Sequence, residues 1–204
     1  MQNPGYKVTT SPLAHLTAGL KPVSTPSGVT LQDASLQARV GFRGRQAAGW
    51  LELHGYQVPV RTNQATWQKD GSLVVRLSAS EFMLLADSAA SQQPVQQLEA
   101  GWQLSDIACY LLPRQDTHAW LRLRGPDIAA MMAKLCAVDL SAAAFPAGAV
   151  AQTSVARANS IVINATKPGE RAEFWLLIDS SLAAWFWEAC GDAMTEFAGQ
   201  YLPQ

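Results

Sequence analysis

The clearest alternation in the chain runs over residues 118–124. Ala119, Leu121 and Leu123 fall on one face, and His118, Trp120, Arg122 and Arg124 on the other. A period of two predicts a half-buried strand. Gly125-Pro126-Asp127 follows, and then Ile128, Met131, Met132, Leu135 and Cys136 recur at helical spacing. That spacing predicts a helix with Pro126 at its first position and the two methionines as core. After a Phe145-Pro146-Ala147-Gly148 loop, residues 151–165 supply strand material, best at Ser160-Ile161-Val162-Ile163. Lys167-Pro168-Gly169-Glu170 places Pro and Gly as a type II turn requires, and residues 173–179 return as the partner strand. Ser180-Ser181 caps a last helix over 182–201. The half from 102 to 204 thus reads strand–helix–strand–strand–helix, close to a split β-α-β, ferredoxin-like unit.

The first half is richer in strands. Over residues 36–43, Leu36, Ala38, Val40 and Phe42 alternate with Gln37, Arg39, Gly41 and Arg43, and Arg45 follows. This predicts a strand with one apolar and one basic face, the basic face being either solvated or a docking surface for an acidic partner. Trp50-Leu51-Glu52-Leu53 and Val58-Pro59-Val60 suggest further short strands, with Pro59 at an edge. Residues 64–68 and 72–77 flank Lys69-Asp70-Gly71, a hairpin signal. Ser78-Ala79-Ser80-Glu81 has capping-box spacing and predicts one helical turn, and Phe82-Met83-Leu84-Leu85 a buried strand. In the small and amide-rich segment 86–101, Pro94 is expected to open a short helix ending near Gly101. The resulting division is a loosely held arm over 1–34, a strand-rich half over 35–101 and a second half over 102–204, all in one folding unit. His15, in the arm's Leu13-Ala14-His15-Leu16 cluster, reads as a surface residue.

Charge and composition remove several function classes. A net charge of −1 argues against nucleic acid or an anionic membrane as partner. Three widely spaced cysteines (Cys109, Cys136 and Cys190) form neither a disulfide framework nor a zinc motif, and are expected to be reduced and buried. The N-terminus lacks a signal-peptide core and no window reaches ~18 apolar residues, so a cytoplasmic location is expected. No G-x-S-x-G, H-E-x-x-H, C-x-x-C or phosphate-loop motif occurs, and His118 is grouped with arginines rather than with a carboxylate. No residue is therefore assigned a catalytic, cofactor-binding or metal-ligating role.

Seven tryptophans are many for 204 residues, and tryptophan is enriched in interface cores. One helix cannot bury both Trp185 and Trp187 against one sheet. With Leu182, Trp185, Phe186, Ala189 and Ala193 as the core face, Trp187 and Met194 form a second stripe. The interface candidates are Trp187, Met194, Trp120, Arg122, Arg39 and Arg43.

At residues 123–127 (LRGPD), 134–140 (KLCAVDL), 144–148 (AFPAG) and 151–157 (AQTSVAR), the chain resembles the gamma subunit of heterotetrameric sarcosine oxidases. The likeness continues through 187–197 and, more weakly, through 11–16 and 77–85. It implies an α+β fold of antiparallel sheets, related to the folate-binding T-protein (aminomethyltransferase) of the glycine cleavage system. It also implies a structural, non-catalytic place beside alpha, beta and delta subunits. In such complexes sarcosine is demethylated to glycine, the methyl carbon passing to tetrahydrofolate or leaving as formaldehyde. FAD, FMN, NAD, tetrahydrofolate and zinc are implied in those partner subunits and not in this chain. Residues 109–116 depart from the T-protein pattern, so no folate-binding residue is carried onto a numbered position. Two other readings are a gamma-type subunit of N-methylglutamate dehydrogenase or a similar enzyme, and a stand-alone folate-binding aminomethyltransferase-like module.

Overall fold

The computed structural model describes residues 10–22 and 27–204. The described chain forms two compact units, one made by residues 37–117 and the other by 10–36 together with 118–204.

The first unit is built on β2 (Arg39–Arg43), α2 (Ala47–Leu53), β3 (Gln64–Trp67), β4 (Ser72–Arg76), β5 (Glu81–Ala86), α3 (Ala89–Gly101) and β6 (Tyr110–Pro113). Its antiparallel sheet has the order β3-β4-β5-β2-β6. Val40, Phe42, Val74, Phe82 and Leu84 pack with Ala47 and Leu51 of α2 and with Val95 and Leu98 of α3. The Asp-Gly hairpin forms as expected, with Gly71 at φ +83°, and the run from Phe82 to Leu85 is a fully buried strand. Four expectations fail. Val58-Pro59-Val60 is irregular chain rather than a strand. Trp50-Leu51-Glu52-Leu53 is helix, because Leu51 reaches the core while Leu53 faces water, a helical rather than a two-residue period. The Ser78–Ser80 segment is no helical turn but a tight link in which the Leu77 N–H donates to the Glu81 carbonyl. Helix α3 starts five residues before Pro94, on a capping box between Ser88 and Ser91.

The second unit contains α1 (Ala14–Thr17), β1 (Thr30–Asp33), β7 (His118–Arg124), α4 (Ile128–Met132), β8 (Val150–Val155), β9 (Ala158–Asn164), β10 (Glu173–Asp179), α5 (Ala183–Met194) and β11 (Gln200–Leu202). The sheet order is β11-β1-β7-β10-β9-β8, antiparallel except for the β1–β11 pair. Ala119, Leu121, Leu123, Leu176 and Ile178 pack against Ile128, Met131 and Met132 of α4 and Phe186 and Cys190 of α5. The residues expected as an arm belong to this unit where they are described. Leu13 is fully buried, β1 pairs with β7, and Asp33 accepts hydrogen bonds from Ser11 and Gln204. Residues 1–9 and 23–26 of that arm lie outside the described residues. The division expected at 101/102 falls at 117/118, because β6 pairs with β2.

Residues 151–165 are a hairpin rather than one strand. It turns on Ala156 and Arg157, both at positive φ (+45° and +64°). Such a turn normally carries Asn or Gly, so the sequence gives it no signal. The type II turn holds, with Gly169 at φ +77° and the Glu170 N–H on the Lys167 carbonyl at 3.0 Å. The last helix stops at Met194, and the chain returns through a left-handed Ala198 into β11.

The two units repeat one design. Each has a strand followed by Arg-Gly (Arg43-Gly44, Arg124-Gly125) and a helix, then a hairpin, a returning central strand and a second helix. The order β3-β4-β5-β2-β6 matches β8-β9-β10-β7-β1 position for position. Gly44 and Gly125 stand at φ +153° and +152°, a region reserved for glycine. A Cβ at Gly44 would overlap the Ala108 carbonyl oxygen, and one at Gly125 would lie 2.7 Å from the Gly28 oxygen.

Candidate functional site

Five of the six interface candidates are occupied within their own unit. Trp187 is 4% exposed and stacks on Tyr201 at 5.2 Å, while Met194 is buried beside it. The core face of α5 is Ala183, Phe186, Trp187, Cys190, Ala193 and Met194, so Phe186 and Ala193 are core as expected, while Trp187 and Met194 take the core place expected for Leu182 and Trp185. Strand β11 explains the exchange: Tyr201 covers Trp187, and Gly191 leaves room for the Tyr201 ring. Trp120 is fully buried and tilts against Trp175 at 4.7 Å.

The guanidinium of Arg122 lies over the Trp175 ring and 2.5 Å from the Glu173 carboxylate, which also accepts from the Trp175 indole N–H at 2.7 Å. Arg39 is 1% exposed, and its guanidinium donates to the carbonyls of Gln37 (3.2 Å), Arg114 (3.0 Å) and Gln115 (2.9 Å). The expected basic face of β2 is therefore half core. Arg43 remains exposed, with only a long 3.9 Å approach to Glu81.

Among the described residues no cluster of His, Cys, Asp and Glu is set to hold a metal ion. A shallow recess of about 400 Å³ gathers His118, Ser154, Asn159 and Ser160, but the Ser160 hydroxyl donates to the Ala158 carbonyl at 3.0 Å. Asp179, paired across the sheet with His118, accepts from the hydroxyl and N–H of Ser181. Those two bonds, and then the charge of His118, hold its carboxyl below the usual range. The sequence reading that kept His118 apart from carboxylates is corrected by this register.

All three cysteines are free and buried, as expected. Burial pushes Cys109 up to about 11 and Cys190 up to about 12. Thiolates are the reactive form, so alkylation at pH 8 should label the folded chain at least tenfold more slowly than the unfolded one. Thiol counting by mass checks this. The unfolded Cys190 thiol ionises near 9 while the folded one holds its proton to about 12. Over that window the folded state binds more protons, so this contribution to stability is full below pH 9 and is lost as pH rises towards 12.

What the fold leaves uncovered is apolar surface. At the start of α5, its N-cap Leu182 and Trp185 are 41% and 47% exposed, three residues apart. Trp185→Ser is expected to change the stability of the isolated chain by less than ~0.5 kcal/mol in urea unfolding. In the first unit a groove of about 640 Å³ is lined by Arg45, Gln46, Gly49, Trp50, Glu52, Leu53 and Ile107. Leu53 is 82% exposed there. These surfaces are the kind a protein partner covers. Sequence reasoning missed both, having assigned residues 50–53 to a strand and Trp185 to the core. The signal that was available is the helical spacing of Gln46, Gly49, Trp50 and Leu53.

The sequence matches the GCVT N-terminal domain family over residues 23–200. It is 26% identical over 197 residues to the sarcosine oxidase subunit gamma of Corynebacterium sp. (strain P-1), covering 95% of this chain and 93% of that one. The fold matches a chain of the heterotetrameric sarcosine oxidase from Corynebacterium sp. U-96 with a TM-score of 0.73 and 23% identity, covering 94% of this chain and 97% of that one. It also matches the glycine cleavage system aminomethyltransferase T from Bartonella henselae, with a TM-score of 0.65 and 17% identity. That match covers 94% of this chain and 58% of that one.

Proposed function

Since the chain belongs to the GCVT N-terminal domain family, we propose that it is the gamma subunit of a heterotetrameric sarcosine oxidase-like complex and serves there as a structural, non-catalytic member. The observation that carries this reading is the end-to-end likeness to a sarcosine oxidase gamma subunit, over 95% of this chain and 93% of the relative. The physical site supports the same reading, with buried thiols, a Ser160 hydroxyl bonded to backbone, and exposed apolar surface.

The partners are alpha, beta and delta subunits, and FAD, FMN, NAD, tetrahydrofolate and zinc are held on those chains. The test is to express the chain with the flavoprotein subunits encoded beside it, purify through a tag on this chain, and assay sarcosine against N-methylglutamate. Co-purification with sarcosine-dependent reduction of bound flavin is the expected result. A chain that purifies alone, or a complex that turns over only N-methylglutamate, overturns it.

A further inference from the structure

We propose that the groove beside α2 seats an apolar segment of a partner subunit that carries a carboxylate facing Arg45. This rests on the reading that the chain is a subunit of a larger complex, and names the surface by which it joins.

The first support is Gly49. It is the third residue of the seven-residue α2, and a Cβ placed on it meets nothing within 4 Å. Glycine inside a helix costs stability relative to alanine through its backbone entropy. At Gly44 or Gly191 a close neighbour in the same chain accounts for the glycine, and at Gly49 none does. What the missing side chain preserves is the depth of the groove, whose wall Gly49 forms. A space kept open outside the chain's own packing points to something that enters it.

The second support is preorganisation. Trp50 lies between the Phe42 ring (4.7 Å) and the His54 ring (3.9 Å), and the His54 ring nitrogen Nδ1 meets the Trp50 carbonyl at 2.8 Å. The aromatic wall is thus fixed before a partner arrives, which lowers the ordering cost of association. Leu53 and Ile107 add exposed apolar surface, and the volume of about 640 Å³ suits several side chains.

Charge selects the occupant. Arg45 is an exposed lining residue two positions from the exposed Arg43, and it carries no ion pair among the described residues; Glu52 also lines the groove, and the two arginines outnumber it. A docked apolar segment would shield Arg45 from water, and a carboxylate on that segment answers it with a charge-assisted hydrogen bond.

The experiment is competitive incorporation. Wild-type chain and a variant, under different tags, are expressed together at equal level with the partner subunits, and their ratio is measured in the assembled complex. Gly49→Leu should melt at or above the wild-type temperature when alone, yet enter the complex at least tenfold less often. Arg45→Glu should be depleted at least fivefold, and Arg61→Glu, an exposed arginine outside the groove, should match wild type. If Gly49→Leu and Arg45→Glu both enter at parity, the groove is not the seat, while the proposed function stands. If Gly49→Leu fails to fold alone, the Arg45→Glu ratio decides, parity again overturning the proposal. If the wild-type chain joins no flavoprotein, the functional reading falls and this inference with it. Self-association of the isolated chain that Gly49→Leu abolishes would assign the groove to a second copy and overturn the stated occupant.

Discussion

Gly44→Ala should cost the chain about 4 kcal/mol or more and leave most of it insoluble at 37 °C. At φ +153° an alanine bears backbone strain of ~1–3 kcal/mol. Its methyl group would also overlap the Ala108 carbonyl oxygen, backbone that cannot swing aside as a side chain does. Gly44 follows β2 directly, and its N–H donates to the Ser80 carbonyl at 2.8 Å, so the strain acts where α2 joins the sheet. A domain stable by ~5–15 kcal/mol does not absorb such a loss comfortably. Urea unfolding followed by tryptophan fluorescence measures it. Gly49→Ala, in the following helix, is the control and should gain ~0.5–1 kcal/mol. Equal behaviour of the two variants would show that the close approach of Gly44 to Ala108 is not a constraint.

Arg39→Leu is the second large effect, about 3–5 kcal/mol of destabilisation. Leucine replaces the buried alkyl stem but supplies no donor, so the carbonyls of Gln37, Arg114 and Gln115 lose their guanidinium partner in a place without water. Hydrogen bonds from a charged donor contribute ~1.5–3 kcal/mol each, and an orphaned buried acceptor costs ~1–3 kcal/mol. Arg43→Leu, four residues along the same strand, should stay within ~0.5 kcal/mol because its side chain is 65% exposed. If Arg39 were a docking charge, the two variants would unfold alike and only assembly would distinguish them.

That contrast shows where the sequence is readable and where it stops. Both arginines obey the same two-residue period, and nothing in the pattern separates a cation over water from one laid beneath three carbonyls. Alternation reports a face; burial of the polar face is decided by what comes to cover it. The strand at 118–124, the Asp-Gly hairpin and the Pro-Gly turn were legible because their cues are local. The Ala156-Arg157 turn was not, since neither residue is chosen for positive φ by its own chemistry. The tryptophans of α5 were separated correctly but in the wrong order. Cys190 and Met194 lie with Phe186 and Trp187 on the true core stripe, while Tyr201, which completes the cover, comes from a strand that the pattern had read as helix. The α2 groove stayed hidden for the same reason: four residues are too few to tell a helix with one buried leucine from a short strand.

The split of the second unit bears on how the chain is made. Strand β1 leaves the ribosome before the first unit, yet Thr30 finds its partner Arg124 only 94 residues later. At typical rates of synthesis that is a wait of roughly 5–20 s. Throughout it the first unit has all its strands and can close, whereas Val29 and Leu31 have no sheet to enter. Their other neighbour, β11, follows later still, at Gln200–Leu202. A nascent chain stalled after residue 117 therefore displays a finished first unit trailing a bare apolar strand, the state that chaperones recognise. Emergence of β11 is the event that completes the second sheet.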